Sequence, residues 1–169
     1  MTNNTNSDFR TVRGYQLANQ RKGRLTPALE DYLEMAYRLC TENDYTRVGQ
    51  LSGLLNVKPS SASKMISKLA ALGYLKYDRY DIIQLTESGR EIGEYLLIRH
   101  ETVEAFLNLV GSSNPLEETE LIEHTLSPST VAALDRLNAF FAAHAEIAER
   151  FEAFKNTDGC ESRPPSSRS

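Results

Sequence analysis

From Thr26 to Lys155 apolar residues recur every three or four positions, and the breaks in that rhythm mark out helices. The first helix takes Thr26 as its N-cap and Pro27 in its first turn, carries Leu29, Tyr32, Leu33, Ala36, Tyr37 and Cys40 at helical spacing, and runs to about Glu42. Asn43 and Asp44 end it. Thr46 is expected to cap a short second helix bearing Val48, Leu51, Leu54 and Leu55, and the turn Asn56-Val57-Lys58 leads into a third. That helix starts at Pro59 or Ser60, presents Ala62, Met65, Ile66, Leu69 and Leu72 on one face, and stops at Gly73. Two short helices joined by a tight turn make a helix-turn-helix. Tyr74 to Tyr77 and Ile82 to Leu85 read as strands around the turn Asp78-Arg79-Tyr80-Asp81, which makes the unit a winged helix.

Thr86 caps a long helix to about Leu109, with Ile92, Leu96, Leu97, Val103, Phe106 and Leu107 as its apolar positions. After a connector from Gly111 to Pro115, three more helices are expected: Leu116 to Leu126, Ser127 as N-cap through Phe141, and Ala145 to Lys155. The fold class is therefore mainly α, a winged helix-turn-helix followed by an all-helical domain. The expected divisions are a flexible arm over 1–25, a DNA-binding domain over 26–86, a helical domain over 87–155 and a disordered Pro- and Ser-rich tail over 156–169.

With 40% hydrophobic and 25% charged residues, the 169-residue chain can bury a core, which excludes a wholly disordered or collagen-like protein. No apolar run approaches the roughly 20 residues of a membrane-spanning helix, and the N-terminus lacks the apolar core of a signal peptide. A cytoplasmic location is expected, and Cys40 and Cys160 suit a reducing compartment. The net charge of −4 hides a division. Between Thr46 and Tyr80, Arg47, Lys58, Lys64, Lys68, Lys76 and Arg79 face only Asp78, a local net of +5, whereas Gly111 to Lys155 carries −5. One half suits a polyanion and the other suits cations.

In the third helix Ser60, Ser61, Ser63, Lys64, Ser67 and Lys68 lie off the apolar positions. A solvated face explains the lysines, but not why four serines, poor helix formers, crowd a helix without one acid. Hydroxyls and ammoniums near the start of such a helix can reach phosphates and base edges in a major groove. Lys58 belongs with them, and Lys76 and Arg79 near the wing are candidates for backbone phosphates. In the arm, Arg10, Arg13, Arg21, Lys22 and Arg24 read better as a solubilising segment than as a DNA contact.

Three patterns hold side chains that bind hard or borderline divalent ions. Asp31 and Glu34 are i and i+3 on the first helix, His100 lies late in the long helix with Glu104 one turn on, and Glu120, Glu123 and His124 have the spacing i, i+3, i+4. Each has an ordinary explanation: acids favoured at a helix N-terminus, a core histidine, solvated glutamates. They make one cluster only if three helices converge, which spacing leaves open.

Thr26-Pro27-Ala28-Leu29-Glu30-Asp31-Tyr32-Leu33-Glu34, Val57-Lys58-Pro59-Ser60-Ser61-Ala62-Ser63-Lys64-Met65, Leu85-Thr86-Glu87-Ser88-Gly89, Arg99-His100-Glu101 and Ile122-Glu123-His124-Thr125-Leu126-Ser127 follow one another in an order that resembles the diphtheria toxin repressor family of metal-activated regulators. The resemblance covers about 26–150 and is nearest to the manganese-responsive branch: Asp31 stands where iron-responsive members carry methionine, and Glu120 where they carry cysteine. It implies a binuclear site of Asp31, Glu34, His100, Glu120, Glu123 and His124, filled by two Mn2+ per subunit with Fe2+, Zn2+, Co2+ or Cd2+ as substitutes. It also implies a dimerisation role for the helical domain, a homodimer on palindromic double-stranded operators of metal-uptake genes, repression when the site is filled, and no enzyme activity, membrane partner or small organic substrate. The N-terminal extension and the Pro/Ser tail depart from the family pattern. The rival readings are an iron-responsive member of the same family, a MarR-like regulator that ignores metal, and a dinuclear metallohydrolase; metal-dependent operator binding without turnover separates them.

Overall fold

Thr26 opens the first helix with its side-chain oxygen 3.4 Å from the Leu29 N–H and its carbonyl accepting from both Leu29 and Glu30. In the computed structural model, which describes residues 25–78 and 80–157, this helix is α1, Pro27–Asn43. It ends where Asp44 takes a left-handed φ of 62° and donates its N–H to the Cys40 carbonyl at 2.8 Å. The described chain divides into two compact units, one reaching to His100 and the other beginning at Glu101.

In the first unit α1 is followed by β1 (Thr46–Arg47), α2 (Val48–Leu54), α3 (Pro59–Ala71), β2 (Leu75–Tyr77) and β3 (Ile82–Leu85). The strands form one antiparallel sheet in the order β1-β3-β2, with Thr46 opposite Ile83 and Leu75 opposite Leu85. Thr46 is therefore a strand residue, correcting its expected role as a helix cap. Pairing with β3 occupies its backbone, its hydroxyl bonds Gln50 Oε1 at 3.1 Å, and Arg47 takes the N-cap position of α2 without a side-chain cap bond. This third strand, only two residues long, was not expected from the apolar pattern. The turn between α2 and α3 is closed by Asn56 at φ 52°, a conformation asparagine tolerates, and by the Val57 N–H on the Ser52 carbonyl at 3.0 Å.

Leu33, Ala36, Cys40, Leu51, Ala62, Ile66, Leu69 and Ile83 are fully buried in the core of this unit, together with Ile92, Tyr95 and Leu96 from the next helix. That helix is α4, Glu87–Val110, which gives its residues up to His100 to the first unit and the remainder to the second. Thr86 anchors its start: the hydroxyl accepts from the Gly89 N–H at 3.0 Å and donates to the Gly73 carbonyl at 2.8 Å. Gly93 lets α4 approach α1 closely, since a Cβ there would stand 2.6 Å from Tyr37 Cβ. The helices run antiparallel at this contact, so residues later in α4 meet residues earlier in α1.

The second unit holds the rest of α4, then α5 (Pro115–Ile122), a tight 3-10 turn over Glu123–Thr125, α6 (Pro128–Ala143) and α7 (Ala145–Thr157). Val103, Leu107, Thr119 and Val131 are buried in it, and Asn138 Nδ2 donates to the Thr102 carbonyl at 3.0 Å. Lys155 Nζ donates to the Leu109 carbonyl at 2.9 Å, supplying a cation where the α4 dipole ends. One continuous helix over Leu116 to Leu126 was expected; α5 stops at Ile122 instead. Ser127 must be extended to cap α6, accepting from the Thr130 N–H at 3.2 Å, and the chain tightens into the 3-10 turn before reaching it.

Candidate metal centre and nucleic-acid interface

Glu34 and His100 lie 66 positions apart, yet a carboxylate oxygen of one and a ring nitrogen of the other fall within 4.8 Å. The antiparallel contact of α1 and α4 through Gly93 and Tyr37 brings them together. Both are buried, at 8% and 6% exposure. Asp31, half-buried, sits one turn before Glu34, and i, i+3 spacing keeps it on the same side of α1. A buried carboxylate beside a buried imidazole offers one oxygen and one nitrogen donor, a set that fits a hard or borderline divalent cation.

The first unit also places two guanidinium groups near these residues. Arg38 donates from Nε and Nη2 to Glu34 Oε1 at 3.0 and 2.7 Å. Arg99 Nη2 stands 2.9 Å from Glu30 Oε2, with both side chains almost fully buried. Sequence reasoning assigned neither pair a role, although one signal was present. Arg99 falls on the apolar stripe of α4, between Leu96 and Val103, where a charged residue must be buried with a partner. Burial, and secondarily the charge of Asp31, raises the Tyr32 phenol above its ordinary range and keeps it neutral.

In the second unit Glu123 and His124 lie in the 3-10 turn and Glu120 in the last turn of α5. The expected i, i+3, i+4 alignment on one regular helix is thus altered by the change of helix type. Glu120 is exposed, Glu123 is 1% exposed, and His124 Nε2 stands 4.0 Å from Glu123 Oε1. Glu104 is half-buried on α4.

On α3, Ala62, Ile66 and Leu69 face the core, which turns Ser60, Ser61, Lys64, Ser67 and Lys68 outward and leaves Ser63 half-buried. Ser61, Ser63, Lys64, Ser67 and Lys68 line one open groove together with Met65 and Tyr77. Met65, expected on the core face, is half-buried and reaches this groove; Tyr77 was read only as a strand residue. Lys58 is exposed at the start of α3 and Lys76 on β2, whereas Arg79 lies outside the described residues, as do all the basic residues of the arm. The wing turn is held by the Asp78 carboxylate, which accepts from the Tyr80 and Ile82 N–H groups at 2.8 and 3.0 Å, and by Arg47, whose Nη1 donates to the Tyr80 carbonyl at 3.2 Å.

A family model described as iron dependent repressor, N-terminal DNA binding domain, matches residues 24–82, and one described as iron dependent repressor, metal binding and dimerisation domain, matches 86–153. The HTH-type transcriptional regulator MntR of Geobacillus thermodenitrificans is 41% identical over 133 residues, which cover 78% of this chain and 92% of that protein. MntR of Oceanobacillus iheyensis is 37% identical over 136 residues, covering 79% and 92%. Among solved structures, T. acidophilum IdeR superposes with a TM-score of 0.55 at 27% identity, over 62% of this chain and 51% of that one. ScaR with bound Zn2+ gives 0.53 at 32% identity, over 64% and 52%. The chain therefore spans about half the length of each of those two solved chains.

Proposed function

The chain belongs to the diphtheria toxin repressor family of metal-dependent transcriptional regulators, with relatives of the MntR type, and from that premise we propose that it is a manganese-responsive repressor acting in the cytoplasm on palindromic operators of metal-uptake genes. Its family acts by binding DNA and not by catalysis. The observation that carries the manganese reading is the pairing of buried Glu34 with buried His100, an oxygen and a nitrogen donor. Oxygen and nitrogen donors suit Mn2+, whereas a methionine or cysteine ligand would favour softer ions.

In this reading two Mn2+ per subunit are held by Asp31, Glu34, His100, Glu120, Glu123 and His124. A bound divalent cation supplies positive charge and coordination. The four carboxylates repel one another when no cation offsets their charge, so the segments that carry them sample more arrangements. Coordination orders those segments and lowers the ordering cost of DNA binding; by linkage, operator DNA tightens metal binding by the same factor. Lys58, Ser60, Ser61, Ser63, Lys64, Ser67 and Lys68 would contact the operator from α3, with Lys76 and Arg79 on backbone phosphates at the wing. A homodimer would present two such surfaces. The dimerisation assignment accords with the apolar side chains exposed on the second unit of this single chain, among them Leu116, Leu121, Phe140 and Phe154. Fe2+, Zn2+, Co2+ and Cd2+ are expected to substitute with different effectiveness, because by the Irving–Williams order Zn2+ binds such donors at least as tightly as Mn2+ and discrimination must come from geometry.

Metal stoichiometry tests the site. Mn2+ titrated into the full chain and followed by the electron paramagnetic resonance of free Mn2+ should reach two ions per subunit, and Glu34→Gln, His100→Ala and Glu123→Gln should each reduce affinity or occupancy. Unaltered Mn2+ binding in all three variants would remove these residues from the ligand set.

A further inference from the structure

Arg38 stands outside the proposed ligands, yet its guanidinium occupies one of them. Nε and Nη2 both donate to Glu34 Oε1, at 3.0 and 2.7 Å. The i, i+4 spacing alone would suggest an ordinary helix-surface pair. This pair is unsymmetrical, however: the side chain of Arg38 is 38% exposed while that of Glu34 is 11% exposed. The acid end is thus withdrawn from water and lies within 4.8 Å of a His100 ring nitrogen. Arg99, the other guanidinium nearby, pairs with Glu30 at 2.9 Å.

A carboxylate oxygen that accepts two charge-assisted hydrogen bonds has less electron density to offer a second cation. A divalent ion on the same carboxylate would also face the guanidinium charge a few ångströms away, in surroundings less polar than bulk water. Whichever oxygen the ion takes, Arg38 must either share Glu34 or leave it, and the exposure of its side chain gives it a route into solvent. We propose that Arg38 competes with the divalent cation for Glu34 and so raises the free metal concentration at which the site fills. The inference rests on the reading of Glu34 as a metal ligand. Arg38 acts here as a tuning residue, distinct from the ligands themselves.

The test is Mn2+ binding to the full-length protein, measured by the paramagnetic resonance of free Mn2+, for the native chain, Arg38→Met, Arg38→Lys and Glu34→Gln. Thermal melting in chelator serves as a check that each variant is folded. Arg38→Met should fill at about 3- to 10-fold lower free Mn2+, the size expected for removing one partly screened unit charge close to a bound dication. Arg38→Lys keeps the charge but loses the planar fork, and should fall between. If Arg38→Met melts cooperatively but fills at the native concentration or higher, the competitor role is wrong while the metal site stands. If the native chain binds no Mn2+, or Glu34→Gln binds it as the native chain does, the ligand reading fails and takes this inference with it.

Discussion

Glu30 on α1 and Arg99 on α4 form an ion pair at 2.9 Å with side chains only 4% and 2% exposed. Each is the immediate neighbour of a residue in the proposed metal site, Asp31 in one helix and His100 in the other. A pair this deep gains its Coulomb energy against a large desolvation cost, so its net contribution is small, but removing one member takes a buried ionic partner from the other. Arg99→Met or Glu30→Met should each destabilise the fold by about 3–5 kcal/mol, and the double variant should recover most of that loss. Urea unfolding of the three variants in chelator checks this; additive losses in the double variant would mean that the pair is not the reason for the cost.

Gly93 makes the approach of α1 and α4 possible. An alanine Cβ there would stand 2.6, 2.8 and 2.9 Å from Tyr37 Cβ, Cγ and Cδ2, and the nearest of these cannot swing aside. Gly93→Ala should therefore cost about 1–3 kcal/mol from overpacking and weaken Mn2+ binding by displacing His100 relative to Glu34. A variant as stable as the native protein, with unchanged metal affinity, would show that the two helices meet without this contact.

Cys40 provides a control that leaves the metal donors alone. It is fully buried in the first core, 3.6 Å from the Ile83 carbonyl, and burial raises its thiol above the ordinary range. In a Cys160→Ser background, a thiol reagent should label Cys40 only on unfolding, and Cys40→Ser should leave the metal response unchanged. The folded state favours the protonated thiol, so its contribution is complete below the pKa of the unfolded thiol and is lost as pH rises through the higher folded value. Rapid labelling of the native protein near neutral pH would contradict this placement.

The outward face of serines and lysines on α3 was legible in the sequence because that helix obeys one period. Ala62, Ile66 and Leu69 are buried, which leaves the serines and lysines facing outward. The ends of elements were less legible. Thr46 has the side chain of a good cap but is claimed by β3, 36 residues later, and no local pattern reveals a two-residue strand. Likewise the regular spacing of Glu120, Glu123 and His124 did not disclose the 3-10 turn that Ser127 and Pro128 impose downstream. The nearness of Glu34 and His100 was implied by the family resemblance but not by spacing, since it depends on the crossing that Gly93 permits, a long-range relation with no periodic signature.

Lys64 and Lys68 should carry part of the electrostatic attraction for DNA, since both are exposed and line the α3 groove. Lys64→Ala and Lys68→Ala are each expected to weaken operator binding at low salt and to reduce the slope of log affinity against log salt by about one. Equilibrium binding across a salt series checks this; an unchanged slope would remove that lysine from the phosphate contacts.

The central claim is that divalent metal, held by oxygen and nitrogen donors that include Glu34 and His100, controls operator binding. Fluorescence anisotropy of a labelled palindromic operator, titrated with full-length protein in Mn2+ and again in chelator, measures it directly. Mn2+ should tighten binding by roughly tenfold or more, within the range of ordinary allosteric coupling, and His100→Ala should abolish that gain while leaving the metal-free affinity in place. Equal operator affinity in Mn2+ and in chelator, or a full Mn2+ response in His100→Ala, would contradict the account.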